Sequence, residues 1–289
     1  MLDLDLLGRN FSIAIKEGEA FVMAPSQRYT VKPVCLGYLE ADLSGFTYMA
    51  FPGTFILLDV AYFLISGAPK VIIVDSGSWA ALMAKYWPGK ATDVITFEDS
   101  LRLEGLTPND VEIIITTHLH HDHIGNHFKC SHAEVYIQLD EWAFARAPHP
   151  LQAQYYPPEL LDQLATMKIR LIRGDYELFP GIRILHTPGH TPGTQSVCVD
   201  SDQGRTVIAG QCSTFHTFAE PRTVLPEDHP FAQWEVFTQT IATDINQSYW
   251  SCLAVKRMAD VLLPCHGPGF QEATRKYFPT NKGKDIHHV

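Results

Sequence analysis

No run of lysine or arginine longer than a dipeptide occurs in the chain, and 22 basic residues stand against 32 acidic ones, a formal charge of −10. Nucleic acid is held by a basic footprint, so a polyanion partner is excluded. Long apolar runs are missing too. The strongest, residues 55–65 and 71–74, are interrupted or bounded by Asp59, Gly67, Pro69 and Lys70 and are too short to span a bilayer. Residues 1–9 carry Asp3 and Asp5 where an export signal would be basic. No C-x-x-C pair occurs, and the six cysteines (Cys35, Cys130, Cys198, Cys212, Cys252, Cys265) are scattered, which reads as reduced thiols in a cytoplasmic protein. The nucleophile-elbow pattern G-x-S-x-G is absent, so no serine hydrolase motif competes for the chemistry. No low-complexity or Gly/Ser linker divides the chain, and one domain over residues 1–289 is expected.

Forty-six per cent of the residues are hydrophobic, enough to build a sizeable core. Residues 31–39, 55–65 and 70–74 read as strands, with 67–70 connecting the last two as a hairpin. A helix is expected near 97–104, a turn from Thr107 to Asp110, and a compact β-rich strand at 111–117. Beyond these come a strand at 133–139 and helices at 140–146 and 158–167. Short strands at 169–172, 182–186, 195–199 and 205–209 follow, then one long helix or two over 231–258, and a last strand at 261–263. Strands followed by helix in each half predict a layered α/β protein in which two sheets pack together and helices cover the outside.

Histidine is the compositional oddity: fourteen in all, six of them between His118 and His132. The sequence Thr117-His118-Leu-His120-His121-Asp122-His123 follows the predicted strand directly. His118 and His120, two apart, project to one side if the strand direction persists, and Asp122 and His123 lie past the bend. Imidazole nitrogens and a carboxylate are the donors that a zinc-like ion accepts. A solvated histidine-rich loop is the plain alternative. Two further segments, His186-Thr-Pro-Gly-His190-Thr-Pro-Gly and Pro264-Cys-His266-Gly, present single histidines on Gly/Pro-shaped loops. Together the three supply five histidines and one aspartate, enough for two metal sites.

H-x-H-x-D-H after a buried strand, T-P-G-H-T-P-G, P-x-H-G and the turn Val74-Asp-Ser-Gly77 resemble the metallo-β-lactamase-fold hydrolase superfamily, over about residues 71–267. Length, the apolar 55–65 run and the T-P-G-H-T-P-G loop are most similar to the N-acyl-homoserine lactonase group. The resemblance implies an αββα sandwich, two mixed β-sheets flanked by helices, with one or two zinc ions at the sheet edge and manganese or iron left open. His118, His120 and His190 would hold the first ion; Asp122, His123 and His266 the second. Gln211 stands where the family has a bridging aspartate, so the second site should be weakened. Cys212 is read as a packed thiol with ligation as the alternative. Thr214 replaces a tyrosine that contacts substrate in the family, and Thr214 and His216 are the candidate substrate contacts.

The implied reaction is attack by a metal-bound hydroxide on a lactone, ester or amide carbonyl, with Asp122 orienting the nucleophile and returning a proton to the leaving group. A glyoxalase II-like thioesterase and a degenerate metal-binding or sensing protein are the alternatives. The partner is then a small molecule, neither nucleic acid nor membrane, and a homodimer is left open. Asp75 is expected to brace a ligand histidine. His121 is expected to be exposed. His127, His132, His149, His186, His229, His287 and His288 are expected at the surface or behind the ligands. Tyr155, Tyr156 and Trp142 lie in an insertion that either covers the cleft or simply packs.

Overall fold

The structure, a computed structural model, describes residues 29–87 and 89–267; the readings of residues 1–9, His287 and His288 fall outside them. Parallel strands buried on both faces read as continuous Val/Ile runs, and two such runs, residues 72–74 and 113–115, lie at the centre of the first sheet. Its strands are β1 (Thr30–Asp42), β2 (Phe55–Ser66), β3 (Ile72–Val74), β4 (Ala91–Asp93), β5 (Ile113–Ile115), β6 (Glu134–Gln138) and β7 (Lys168–Ile172), in the order β4-β1-β2-β3-β5-β6-β7. β3, β5, β6 and β7 run parallel, and the other pairings are antiparallel. The second sheet has the order β12-β11-β10-β9-β8, from β8 (Tyr176–Phe179), β9 (Ile182–His186), β10 (Gln195–Ser201), β11 (Gly204–Ala209) and β12 (Val261–Pro264). Its last pair, β11 and β12, is parallel.

Alternation along each strand sorts the side chains into layers. Ile72, Val74, Ile113 and Ile115 meet Ile182, Ile184, Val197 and Ile208 of the opposite sheet. Ile73 and Ile114, one residue out of phase, face away and pack on α1 (Ala80–Tyr86), α2 (Phe97–Leu103) and α5 (Pro158–Leu164) through Leu82, Leu101 and Leu161. Val207 and Ala209 cover the far face of the second sheet against Cys252 and Val255 of α6 (Ile245–Met258). The result is the αββα sandwich that the resemblance implies. Two further helices, α3 (His121–Ile124) and α4 (Leu139–Arg146), lie at the edge where the histidines gather. Among the described residues no helix is long and apolar enough to cross a membrane.

The sequence reading passes over α1, β4 and β8, and its longest predicted helix is cut short. The helix expected over 231–258 begins only at Ile245, capped by the Asp244 carboxylate on the Gln247 amide. Residues upstream bond elsewhere: Phe237 N–H donates to Thr217, Thr240 to Gly45, and Thr243 to Gly189 and His190. Tertiary partners outbid the local helix preference, which for Thr and Ile is weak in any case.

Candidate metal centre

Strand ends deliver the site. β3 and β5 run parallel with Val74 beside Ile115, so Asp75 and the Thr116-Thr117-His118 segment leave the sheet together. In the second sheet Ala209 pairs with Pro264, so Gly210-Gln211 and Cys265-His266 leave it together. His190 comes from the β9–β10 connection. Two glycines permit this crowding. Gly189 has φ +132°, and a Cβ there would lie 2.3 Å from the Ser248 nitrogen. A Cβ on Gly210 would lie 1.8 Å from the Gln195 carbonyl oxygen.

Hydrogen bonds fix which nitrogen of each histidine is free. Asp75, held at φ 58°, accepts from the Thr117 amide at 2.7 Å and from its hydroxyl at 2.8 Å. The Thr117 oxygen therefore accepts from His118 Nδ1 at 3.1 Å, leaving the Nε2 lone pair of His118 free. His190 Nδ1 donates to the Ile241 carbonyl at 2.5 Å. His120 Nε2 donates to Gln152 Oε1 at 3.3 Å, and the Gln152 amide is oriented by donating to the His190 carbonyl. The lone pairs left over converge: His190 Nε2 lies 3.1 Å from His118 Nε2 and 3.2 Å from His120 Nδ1. No proton sits between them in this set of tautomers. Such a spacing is close to the edge of a tetrahedron of nitrogens around zinc, about 3.4 Å, so these residues fit a metal ion.

A second donor set lies alongside, its His123 ring 4.0 Å from that of His118. His123 Nδ1 donates to Asp75 at 2.7 Å, and its Nε2 is buried without a partner. His266 Nδ1 donates to the Asp59 carbonyl at 3.0 Å. Asp122 Oδ2 stands 3.6 Å from His123 Nε2 and 3.5 Å from His266 Nε2. Burial opposes charge on His123, yet the Asp122 and Asp75 carboxylates raise its pKa above the ordinary value, and the same field would attract a cation. Cys265, which the motif reading left among the reduced thiols, joins this group within 4.8 Å. Its thiol donates to the Gln211 carbonyl at 2.6 Å, and burial holds its pKa up.

Gln211 is fully buried between the loops. Its amide nitrogen donates to the Thr187 carbonyl at 3.2 Å, while its side-chain oxygen has no partner. The NH2 that would repel a metal is tied back, and the neutral oxygen is left as the available donor. Cys212 packs with Leu39, Phe46 and Leu58, and burial drives its thiol pKa well up, as a packed thiol requires. Thr214 is buried and caps the turn that follows by accepting from the His216 amide, and neither residue lines the cleft above the histidines. That cleft is walled by Leu39, Phe46, Leu58, Trp87, Tyr155 and Ile241.

Tyr155, tilted, and Tyr156, edge-on, pack about the His120 ring at 4.9 and 4.8 Å, whereas Trp142 packs on the core. One histidine, His121, corrects the sequence reading, whereas His127 takes the place behind the ligands that the reading allowed it. His121 is buried rather than exposed, and His127 is buried, bonded to Ser76 at 2.7 Å and Thr116 at 2.8 Å. Glu141 was missed altogether. Its buried carboxylate accepts from the Leu119 amide, the Tyr156 hydroxyl and the Thr191 hydroxyl, tying the loop of His118 and His120 to that of His190. From sequence it is one more acidic residue in a first helical turn.

Burial lowers the pKa of His118 and His120 well below the ordinary value, and that of His190 from 6.5 to about 4. As pH falls the unfolded chain therefore takes up protons before the fold does. The stabilisation is present above pH 6.5 and lost towards pH 4, about 3 kcal/mol from His190 alone. Urea midpoints of the metal-free protein should fall across that window, and a midpoint constant down to pH 4 would contradict the assignment.

The sequence profile of the metallo-beta-lactamase superfamily matches residues 57–240, more than half of the chain. An N-acyl homoserine lactonase of Bacillus thuringiensis is 30% identical over 168 residues, which is 54% of this chain and 64% of that protein, under two thirds of its length. Metallo-beta-lactamase domain-containing protein 1 of Xenopus laevis is 26% identical over 248 residues, covering 86% of this chain and 83% of its own. Among solved structures, a quorum-quenching N-acyl homoserine lactone lactonase superposes with a TM-score of 0.67 at 25% identity, over 89% of this chain and 99% of its own. Profile, fold and converging histidines agree: the chain belongs to the metallo-beta-lactamase superfamily.

Proposed function

We propose that this protein is a metal-dependent hydrolase that opens a lactone or cleaves a related carboxylic ester of a small molecule. The observation that carries the reading is the convergence of three histidine lone pairs from His118, His120 and His190. Asp122, His123 and His266 stand beside them at the foot of an apolar cleft. A divalent cation held there, zinc in our reading, would supply an activated water nucleophile and polarise the carbonyl. The Asp122 carboxylate, which the surrounding imidazoles keep ionised against the opposing effect of burial, would orient the attacking water and hold its proton at Oδ2 until the alkoxide leaves. Glu141 and Asp75 hold the histidine loops in register, and the apolar walls exclude bulk water. The relatives named as N-acyl homoserine lactonases support a lactone as the first substrate class to try.

Among the described residues, no lysine or arginine lines the cleft. A thioesterase acting on an anionic carrier would need one, so the uncharged ester or lactone is favoured. We place the protein in the cytoplasm, as one domain acting on a small molecule. The test is metal analysis joined to a panel of lactones, esters and thioesters read by acid release. Bound zinc is expected, with lactone turnover lost on chelation and recovered on adding the metal. Failure to hydrolyse any of them after reconstitution with zinc, manganese or iron would favour a binding or sensing protein instead.

A further inference from the structure

Two histidines and a thiol meet beside the first donor set. One ligand atom from each of His123, Cys265 and His266 lies within 4.8 Å of the others, and all three residues are buried. His123 is 2% exposed, and its Nε2 has no hydrogen-bond partner. Such a nitrogen is costly to bury unless something takes its lone pair. Local structure explains how Cys265 reaches this place. Along β12, Leu262 packs towards α6 and Leu263 towards the opposite sheet, so Cys265, two residues on, falls on the side of Leu263. The strand ends at Pro264 and the chain turns at Cys265 and His266. That turn lets two consecutive side chains serve one place, which a continuing strand would forbid.

Asp122 brings one negative charge to His123 and His266, and the Gln211 side chain brings none. A divalent cation there keeps one charge uncompensated, which a thiolate would cancel. We propose that Cys265 is a protein ligand of the second ion, its sulfur supplying the negative charge that Gln211 withholds, and that this site therefore selects thiophilic cations such as zinc, cobalt and cadmium over manganese. In the metal-free chain the thiol proton rests on the Gln211 carbonyl, 2.6 Å away. A coordinating cation displaces such a proton outright. The Ser213 amide, 3.4 Å from the sulfur, already donates to it and would go on donating to the thiolate. Cys265 belongs to the second donor group alone, so it does not bridge, and the weakening expected from Gln211 stands.

This deepens the metal reading of the site and rests on it, and one titration separates the two. Cobalt(II) is added to saturation to the full chain, stripped beforehand with a chelator, while the absorbance is followed. Both ions should give visible d–d bands, and the second should also bring a thiolate-to-cobalt charge-transfer band in the near ultraviolet. Cys265→Ser should lose that band, bind the first ion as before and hold the second about a hundredfold or more weakly. Cys212→Ser, which alters the other thiol next to Gln211, should keep the band. In the wild type, about a hundredfold excess of manganese should leave the band in place. Saturation of the wild type with no charge-transfer band would overturn the proposal whether or not the variants fold. So would a band that survives in Cys265→Ser or is bleached by manganese. Failure to bind any cobalt would reject the metal reading itself, and the role of Cys265 with it.

Discussion

Replacing His118 with alanine is expected to abolish hydrolysis and to lower the metal content. His118 Nε2 is one of three lone pairs that face one point, and its ring is completely buried. Two remaining histidines leave the tetrahedral site one protein donor short, so the ion is held more weakly. Charge stabilisation by a held cation is worth several kcal/mol, so a loss of about a thousandfold or more in kcat/KM is expected. Stability should respond in a telling way. Truncating a buried ring of this size costs about 3 kcal/mol through lost packing. In the metal-free protein, however, the substitution also removes the opposition between the His118 and His190 lone pairs. The variant should therefore lose less in metal-free protein than with zinc present. Turnover retained by a folded His118→Ala protein would move the chemistry to another part of the molecule.

What the sequence makes legible here follows from where the determinants lie. The 111–117 run points to a strand because both faces of β5 are buried, and its position just before Thr117 puts the histidines at a strand end. The short apolar runs of the second sheet are likewise visible, since turn residues punctuate them. Residues 231–244 mislead because their backbone bonds to Gly45, Thr217, Gly189 and His190, partners far away in the chain. That same segment supplies the Ile241 carbonyl to His190 Nδ1, so the missed loop is part of the site. His121 has the same history: its neighbours in sequence give no reason for burial, and it is Tyr86 of α1, an element the sequence reading passes over, that covers it. Glu141 and Cys265 are ordinary by pattern and acquire meaning only from the loops that meet around them.

Gln211 is legible as a departure from the family's pattern, and its consequence can be measured. Two cations side by side repel, and a carboxylate between them offsets that repulsion with charge as well as with two oxygens. The Gln211 side chain offers one unpartnered neutral oxygen, with its nitrogen committed to the Thr187 carbonyl. Gln211→Asp is therefore expected to raise the metal stoichiometry from about one towards two per chain, read by elemental analysis after dialysis against a weak chelator. The variant should be less stable than the wild type when metal-free, because it buries a second carboxylate near Asp122 and faces it towards a backbone carbonyl, and should recover as zinc is added. Gln211→Glu keeps the chain length and separates charge from reach. A rise in metal with Glu but not Asp would mean that the oxygen must extend as far as the glutamine does. An unchanged count in both would mean that the neutral side chain at position 211 is not what limits the second ion.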